Sequence, residues 1–300
     1  MTILSEKATT VAVEGSTWRG VVKDSTATAG AVNLFNTTPR WLLVSKRLVD
    51  PKALKGPKKI LDQARNFLRG DSPGPDGKFI PGGLPPWDRK GRFILPNAMN
   101  EEVVRALGEF KSRFEDAVEA LRSDLPAAID QARYENPDLF KDTDYGGVEG
   151  IIERYRFDIE FDLIPDAGDI RVDASKQFVA ALKSSVETRS AKKLNEVTAH
   201  AISTIVEVVG HFADALSAYD PDKKGAAPFR DSTVDKVRDL IGVIPALNVQ
   251  GDAKIDQIRQ DLIAAIGNKS AKELREDADV RKDTVEKARA VANNIDNLFG

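Results

Sequence analysis

The sequence has no cysteine. That removes disulfide frameworks, cysteine zinc sites, iron–sulfur clusters and thiol nucleophiles together. Histidine is nearly as scarce: only His200 and His211 occur. On one helix they would lie about 16 Å apart along the axis, too far to share a metal. No apolar run approaches the length that spans a bilayer. The opening MTILSEKATT lacks a basic-then-apolar leader pattern, so a cytoplasmic address and no membrane contact are expected. The phosphate loop G-x-x-x-x-G-K-S/T, a dinucleotide G-x-G-x-x-G after a strand and the elbow G-x-S-x-G are all missing. ATP hydrolysis, dinucleotide chemistry and serine hydrolysis therefore lack their usual carriers. We expect no cofactor, no resident metal and no catalytic residue.

What is present is a 300-residue chain, 41% apolar and 30% charged, with a net charge of -3. The charge is unevenly spread. Residues 1–99 carry a net +8 and residues 100–300 a net -11. The positive excess sits in 40–69, in Arg40, Lys46, Arg47, Lys52, Lys55, Lys58, Lys59, Arg65 and Arg69, against Asp50 and Asp62. Such asymmetry marks an anion-binding end, or two parts of one chain, or two subunits, that attract each other.

Periodicity predicts a mainly α-helical fold: long antiparallel amphipathic helices, a small two- to three-stranded sheet and a C-terminal helical bundle. Residues 1–38 read as an extended or partly disordered arm, 39–220 as a helical stalk with a small β element, and 221–300 as the bundle. Arg40–Val49 reads as a strand or a packed extended segment, followed by a helix that Asp50 caps and Pro51 opens. Residues 70–98, with PGPDG and PGGLPP, form a long irregular loop with apolar anchors. Val103, Leu107, Phe110, Phe114, Ala117, Leu121, Leu125 and Ala128 set a heptad-like stripe on a helix over 100–135, which Pro126 should kink or end. Tyr155–Ile164 alternates as a half-buried strand, with Arg40–Val49 or an N-terminal piece as its partner. A second long helix runs from Asp173 to Tyr219, with a polar stretch at Glu187–Lys193 that invites a break. A long seam without a closed partner points to a homo-oligomer.

The ordered motifs have a familiar arrangement. Ser45-Lys46-Arg47-Leu48-Val49-Asp50-Pro51 leads into a basic helix. Phe93-Ile94-Leu95-Pro96 follows, then Phe114-Glu115-Asp116-Ala117-Val118 late in a long helix, then Arg156 to Pro165. This set resembles a family of unknown function carried by tailed phages and prophages, over about residues 40–170. The Pro/Gly-rich insert of 70–92 departs from it. Genes of that family often lie near a MoxR-type AAA+ ATPase and a von Willebrand-type domain protein. The resemblance thus implies a phage source, the bacterial host cytoplasm and an ATPase of that kind as an assembly partner. It implies no activity.

Two functional readings follow. One is a non-enzymatic accessory protein acting by protein–protein contacts and self-assembly. The other is a nucleic-acid binder using Arg40, Lys46, Arg47, Lys52, Lys55, Lys58, Lys59 and Arg65, with Trp41 and Phe67 to stack on bases. Asp158, Glu160 and Asp162 make an acidic ridge, read as a solvent face or a seat for a basic neighbour, with a carboxylate-based metal or acid–base site as the enzymatic alternative. Asp220 to Asp231 mimics a calcium loop, but Lys224 stands at a ligand position, so a plain helix connection is expected.

Overall fold

The computed structural model describes residues 4–172, 174–221 and 228–299. The chain is mainly α, 63% helical and 10% strand, with a three-stranded sheet, a two-stranded sheet and a run of C-terminal helices. In order these are α1 (Leu4–Lys7), β1 (Ala8–Ser16), β2 (Val21–Lys23), α2 (Ser25–Leu34), β3 (Ser45–Arg47), α3 (Lys55–Arg69), β4 (Arg92–Pro96) and α4 (Asn100–Glu135). Then come α5 (Gly147–Ile152), β5 (Arg156–Leu163), α6 (Lys176–Ala218), α7 (Asp231–Leu247), α8 (Ala253–Leu262), α9 (Ala271–Glu276) and α10 (Ala278–Phe299). The larger sheet has the order β4-β1-β5 and the smaller pairs β2 with β3. The chain divides into two compact units, one of 1–12, 65–104 and 160–300, the other of 13–64 and 105–159.

The first unit is built on α6. Val197, Ala201, Ile205, Phe212 and Leu216 of its seam are buried. Ile205, Phe212 and Leu216 meet α7 and α10, with Leu240, Ile244, Ile258, Leu262, Leu274 and Ile295 completing one core, while Val197 joins a smaller cluster with Leu4, Ala8, Ile94, Ile164 and Val249. By length and composition α6 is apolar enough to cross a membrane, but its buried seam makes it the core helix of this bundle. No break occurs at Glu187–Lys193; the helix is continuous over 43 residues, about 65 Å at 1.5 Å per residue. Lys192 and Lys193 both reach Glu196 one turn on, so the polar stretch supports itself by ion pairs.

The Pro/Gly-rich loop belongs to this unit and is a packing loop. Gly70 ends α3 with φ +80°, and Leu84 N–H donates to the Leu68 carbonyl at 2.8 Å, satisfying one of the helix's last acceptors. Gly83 has φ +70°, and any Cβ there would run into the backbone of Arg69. The Gly83 carbonyl also lies 3.0 Å from His200 Nε2 on α6. The Pro81-Gly82-Gly83 turn is thus pressed between the end of α3 and α6.

The second unit holds α4 from Arg105 onward with α2, α5 and the β2–β3 pair, and Arg122 of α4 pairs with Glu149 of α5. Leu107, Phe110, Phe114, Leu121 and Leu125 of the expected stripe are buried, and Phe114 meets Phe157 of β5 with ring centroids 5.4 Å apart. Tyr155, at the edge of this core, has a buried hydroxyl without a hydrogen-bond partner, and burial pushes its pKa up to about 12.

Several expectations are corrected. Residues 8–16 are not part of a free arm; they form the central strand, with Ala8 opposite Pro96 and Ala12 opposite Arg92 in the antiparallel β1–β4 ladder. Val11, Ala12 and Val13 are buried, which is why this segment is held. The strand expected over Arg40–Val49 shrinks to Ser45–Arg47 and pairs with β2; of the two partners expected for Tyr155–Ile164 the N-terminal piece is the one found, β1 lying beside β5. Helix α3 starts at Lys55, because the Asp50 carboxylate accepts from Lys52 N–H in a local turn rather than capping a helix. Pro126 and Pro245 sit inside α4 and α7 without ending them. Both rings are on exposed faces; water can take the Arg122 carbonyl that Pro126 deprives of its donor, and Arg259 Nε–H donates to the Ile241 carbonyl that Pro245 deprives, at 3.0 Å. Residues 222–227, which the calcium-like pattern includes, lie outside the described residues.

Three outcomes follow. Gly83→Ala should cost more than about 2 kcal/mol, since it adds a backbone clash to left-handed strain. Gly77→Ala, at φ +85° in open space, should cost only the backbone term of about 1–2 kcal/mol. Urea unfolding of both variants separates the two contributions. In the same assay Tyr155→Phe should be neutral or stabilising, by up to about 1 kcal/mol, because it removes an unsatisfied buried hydroxyl.

Candidate functional site

The basic segment does not act as one surface. Its central residue, Lys46, is turned inward. The side chain is only 9% exposed, and its ammonium lies 2.7 Å from Asp144 and 3.5 Å from Asp24. It also donates to the Leu139 carbonyl. Each partner is placed by local chemistry. Asp24 caps α2, accepting from Ala27 N–H at 2.8 Å. Its backbone N–H donates to the Val44 carbonyl at 3.0 Å. Thr28, buried one turn on, donates to the Asp24 carbonyl and accepts from Val44 N–H. Asp144 closes a short 3-10 turn. Beside it Tyr145 donates its hydroxyl to the Leu48 carbonyl at 2.6 Å.

The electrostatics follow this geometry. The Asp144 hydrogen bond, helped by both acids, raises the Lys46 pKa above its ordinary 10.5. The hydrogen bond from Ala27, then the Lys46 charge, lowers that of Asp24 below 3.8. Burial raises the Tyr145 pKa. An amine held protonated in this way is a poor nucleophile. It serves as a structural cation that ties β3 to α2 and to the 136–145 loop.

Next to this knot lies a cleft of about 640 Å³ within the second unit. One wall is the chain from Val44 to Val49, and the other is the C-terminal half of α4 with Ala128 and Ala132. Arg47, Lys141 and Glu135 stand on its rim.

The other predicted basic residues are dispersed. Lys58 pairs with Asp62 on its own helix. Lys52, Lys55, Lys59 and Arg47 are exposed and make no ion pair among the described residues. Arg40 lays its guanidinium over the exposed Trp41 ring at 5.3 Å. Arg65 is half-buried and engaged with the structure around it. Phe67 is buried in the core and cannot stack on a base. The acidic ridge of β5 is occupied: Arg92 pairs with Glu160 at 2.7 Å and with Asp162. His200 contacts the Gly83 carbonyl.

The partners of Lys46 had only half a signal in the sequence. Asp24 before Ser25 is a legible N-cap, but nothing local joins Lys46 to Asp144, some hundred residues on.

Lys46→Met should lower the urea midpoint at neutral pH, because it strands two acids in a dry setting. The gap from the wild type should narrow as pH falls below 3.8, where the lowered Asp24 pKa means its ionised form is progressively lost. It should also shrink at alkaline pH beyond 10.5, as Lys46 gives up its proton. No family model, curated protein or solved structure matches the chain.

Proposed function

We propose that this chain is a non-enzymatic accessory protein, of phage or prophage origin, that works through protein–protein contacts and associates with itself. One observation carries it. Large apolar side chains stand in solvent on an ordered frame: Leu34, Phe35, Trp41 and Leu43 are exposed by 78%, 68%, 77% and 59%. The chain that displays them is fixed. Asn36 takes φ 47° after α2, and Thr37 N–H returns to the Val32 carbonyl, the left-handed close of a helix. Helix α2 itself buries only Thr28. Exposed apolar groups held rigidly mark a contact surface, since their burial on a partner needs little further ordering. The ordered motifs from Ser45 to Pro165 support the phage source, and the saturated Lys46 centre supports a contact role over a catalytic one.

Nucleic-acid binding is the second reading, favoured by Lys52, Lys55 and Lys59, which stand exposed at spacings of three and four. The two readings separate by measurement. Light scattering coupled to size exclusion should give a mass above the 32.8 kDa protomer. Trp41→Asp with Phe35→Asp should return it to a monomer. A wild-type monomer at all concentrations would refute self-association. Fluorescence anisotropy with labelled single- and double-stranded DNA should show no salt-dependent binding. Binding that Lys52→Glu, Lys55→Glu and Lys59→Glu together abolish would favour the second reading instead.

A further inference from the structure

Residues 25–44 are open to solvent and almost without charge. Of these twenty residues only Thr28 is buried, and only Arg40 is charged. Across the whole chain 30% of residues are charged. A helix face that stays in water ordinarily carries charged side chains. Helix α2 carries none. Depletion of charge with large apolar groups on display is the composition of a surface that another molecule covers. Arg40, the exception, lies over the Trp41 ring, and arginine and tryptophan are both residues that contact surfaces favour.

The segment is held as one piece. Asp24 caps α2, and the chain returns beside it, where Val44 N–H donates to Thr28 Oγ and the Val44 carbonyl accepts from Asp24 N–H. Thr28 faces the body of the unit. At 3.6 residues per turn Gly30 stands almost opposite it, and Thr26, Asn33 and Leu34, all exposed, lie within about 60° of Gly30. Gly30 has no positive φ, and a Cβ there would meet nothing within 4 Å. A second backbone can come close at this point.

The area is that of a stable contact. Taking about 150–250 Å² for an aromatic side chain and somewhat less for leucine, Leu34, Phe35, Trp41 and Leu43 offer on the order of 600 Å². The outer face of α2 raises this toward the roughly 800 Å² that each partner gives to a standard interface.

Charge selects the occupant. A two-fold contact sets each group near the axis against its own copy. A charged face would repel itself there, and from Ser25 to Pro39 there is no charge to do so. The same neutrality gives an unlike partner nothing to recognise by charge. Resting on the self-association proposed above, we infer that a second copy of the chain covers this segment, α2 crossing its own counterpart at Gly30 about a two-fold axis.

The test is light scattering coupled to size exclusion on the full chain. Gly30→Glu and Gly30→Lys each set a charge against its own copy, so each alone should weaken association at least about tenfold. Mixed in equal amounts, the two variants should associate again, because each pair then joins unlike charges. Circular dichroism and urea unfolding should show both folded as the wild type is. Gly30→Cys adds an independent readout, since the chain has no other thiol. Mild oxidation should yield a covalent dimer, and Ser185→Cys, exposed on α6, should yield none. A wild type that associates and ignores both charges overturns the α2 contact and leaves self-association standing. Dissociation by each charge without rescue on mixing does the same, because it marks a head-to-tail contact with another surface. A wild type that is a monomer at all concentrations overturns both readings, and its sedimentation with phosphatidylcholine vesicles would give the face to lipid.

Discussion

A cation withdrawn from water must be matched by anions, and much of the second unit is arranged around that requirement. Lys46 sits one strand residue from two exposed neighbours, yet it alone is turned inward to Asp24 and Asp144. The net stability of such a cluster is small, because desolvation offsets most of the attraction. Its effect lies in selection. A slip of one residue along β3 would point Lys46 outward and bring Ser45 or Arg47 into the acidic pocket. Three residues of strand carry too few hydrogen bonds to set their own register. The ion pairs add to the bonds that flank β3, Asp24 to Val44, Val44 to Thr28 and Leu48 to Gly20, in holding one register.

The stripes on α4 and α6 were legible because a helix repeats its contacts every turn. Val103 to Leu125 and Val197 to Leu216 announce a buried face whatever the partner. What covers those faces was not legible. The identity of α7 and α10 as the cover for α6 is a matter of topology rather than period. Position 126 misleads for a related reason: the cost of a proline depends on whether the orphaned carbonyl meets water, and sequence does not give the facing. The central place of β1 was hidden too. ATTVAV is short, and the residues that cover it arrive from Ile94 and Leu95 far along the chain.

The candidate site was legible in composition and misread in geometry. Nine basic residues in thirty suggest one positive surface. Folding spends them on different tasks. Lys46 becomes a buried tie, Lys58 serves its own helix, Arg40 rides on Trp41, and Arg92, outside the cluster, neutralises the ridge of Glu160 and Asp162. Local charge density therefore overstated the electrostatic surface, because ion pairing over long sequence separations is invisible to it.

An open strand edge next to exposed apolar side chains is ordinarily a hazard, since it invites indiscriminate pairing. Here the edge is only three residues long, which limits the ladder it can offer to another strand. Leu34, Phe35, Trp41 and Leu43 lie on the chain leading into β3, outside the cleft lining. Lys46 acts on both ends of that chain, because the residue that fixes β3 also holds Asp24 at the start of α2, so the segment from Leu34 to Leu43 is spanned between two anchored elements.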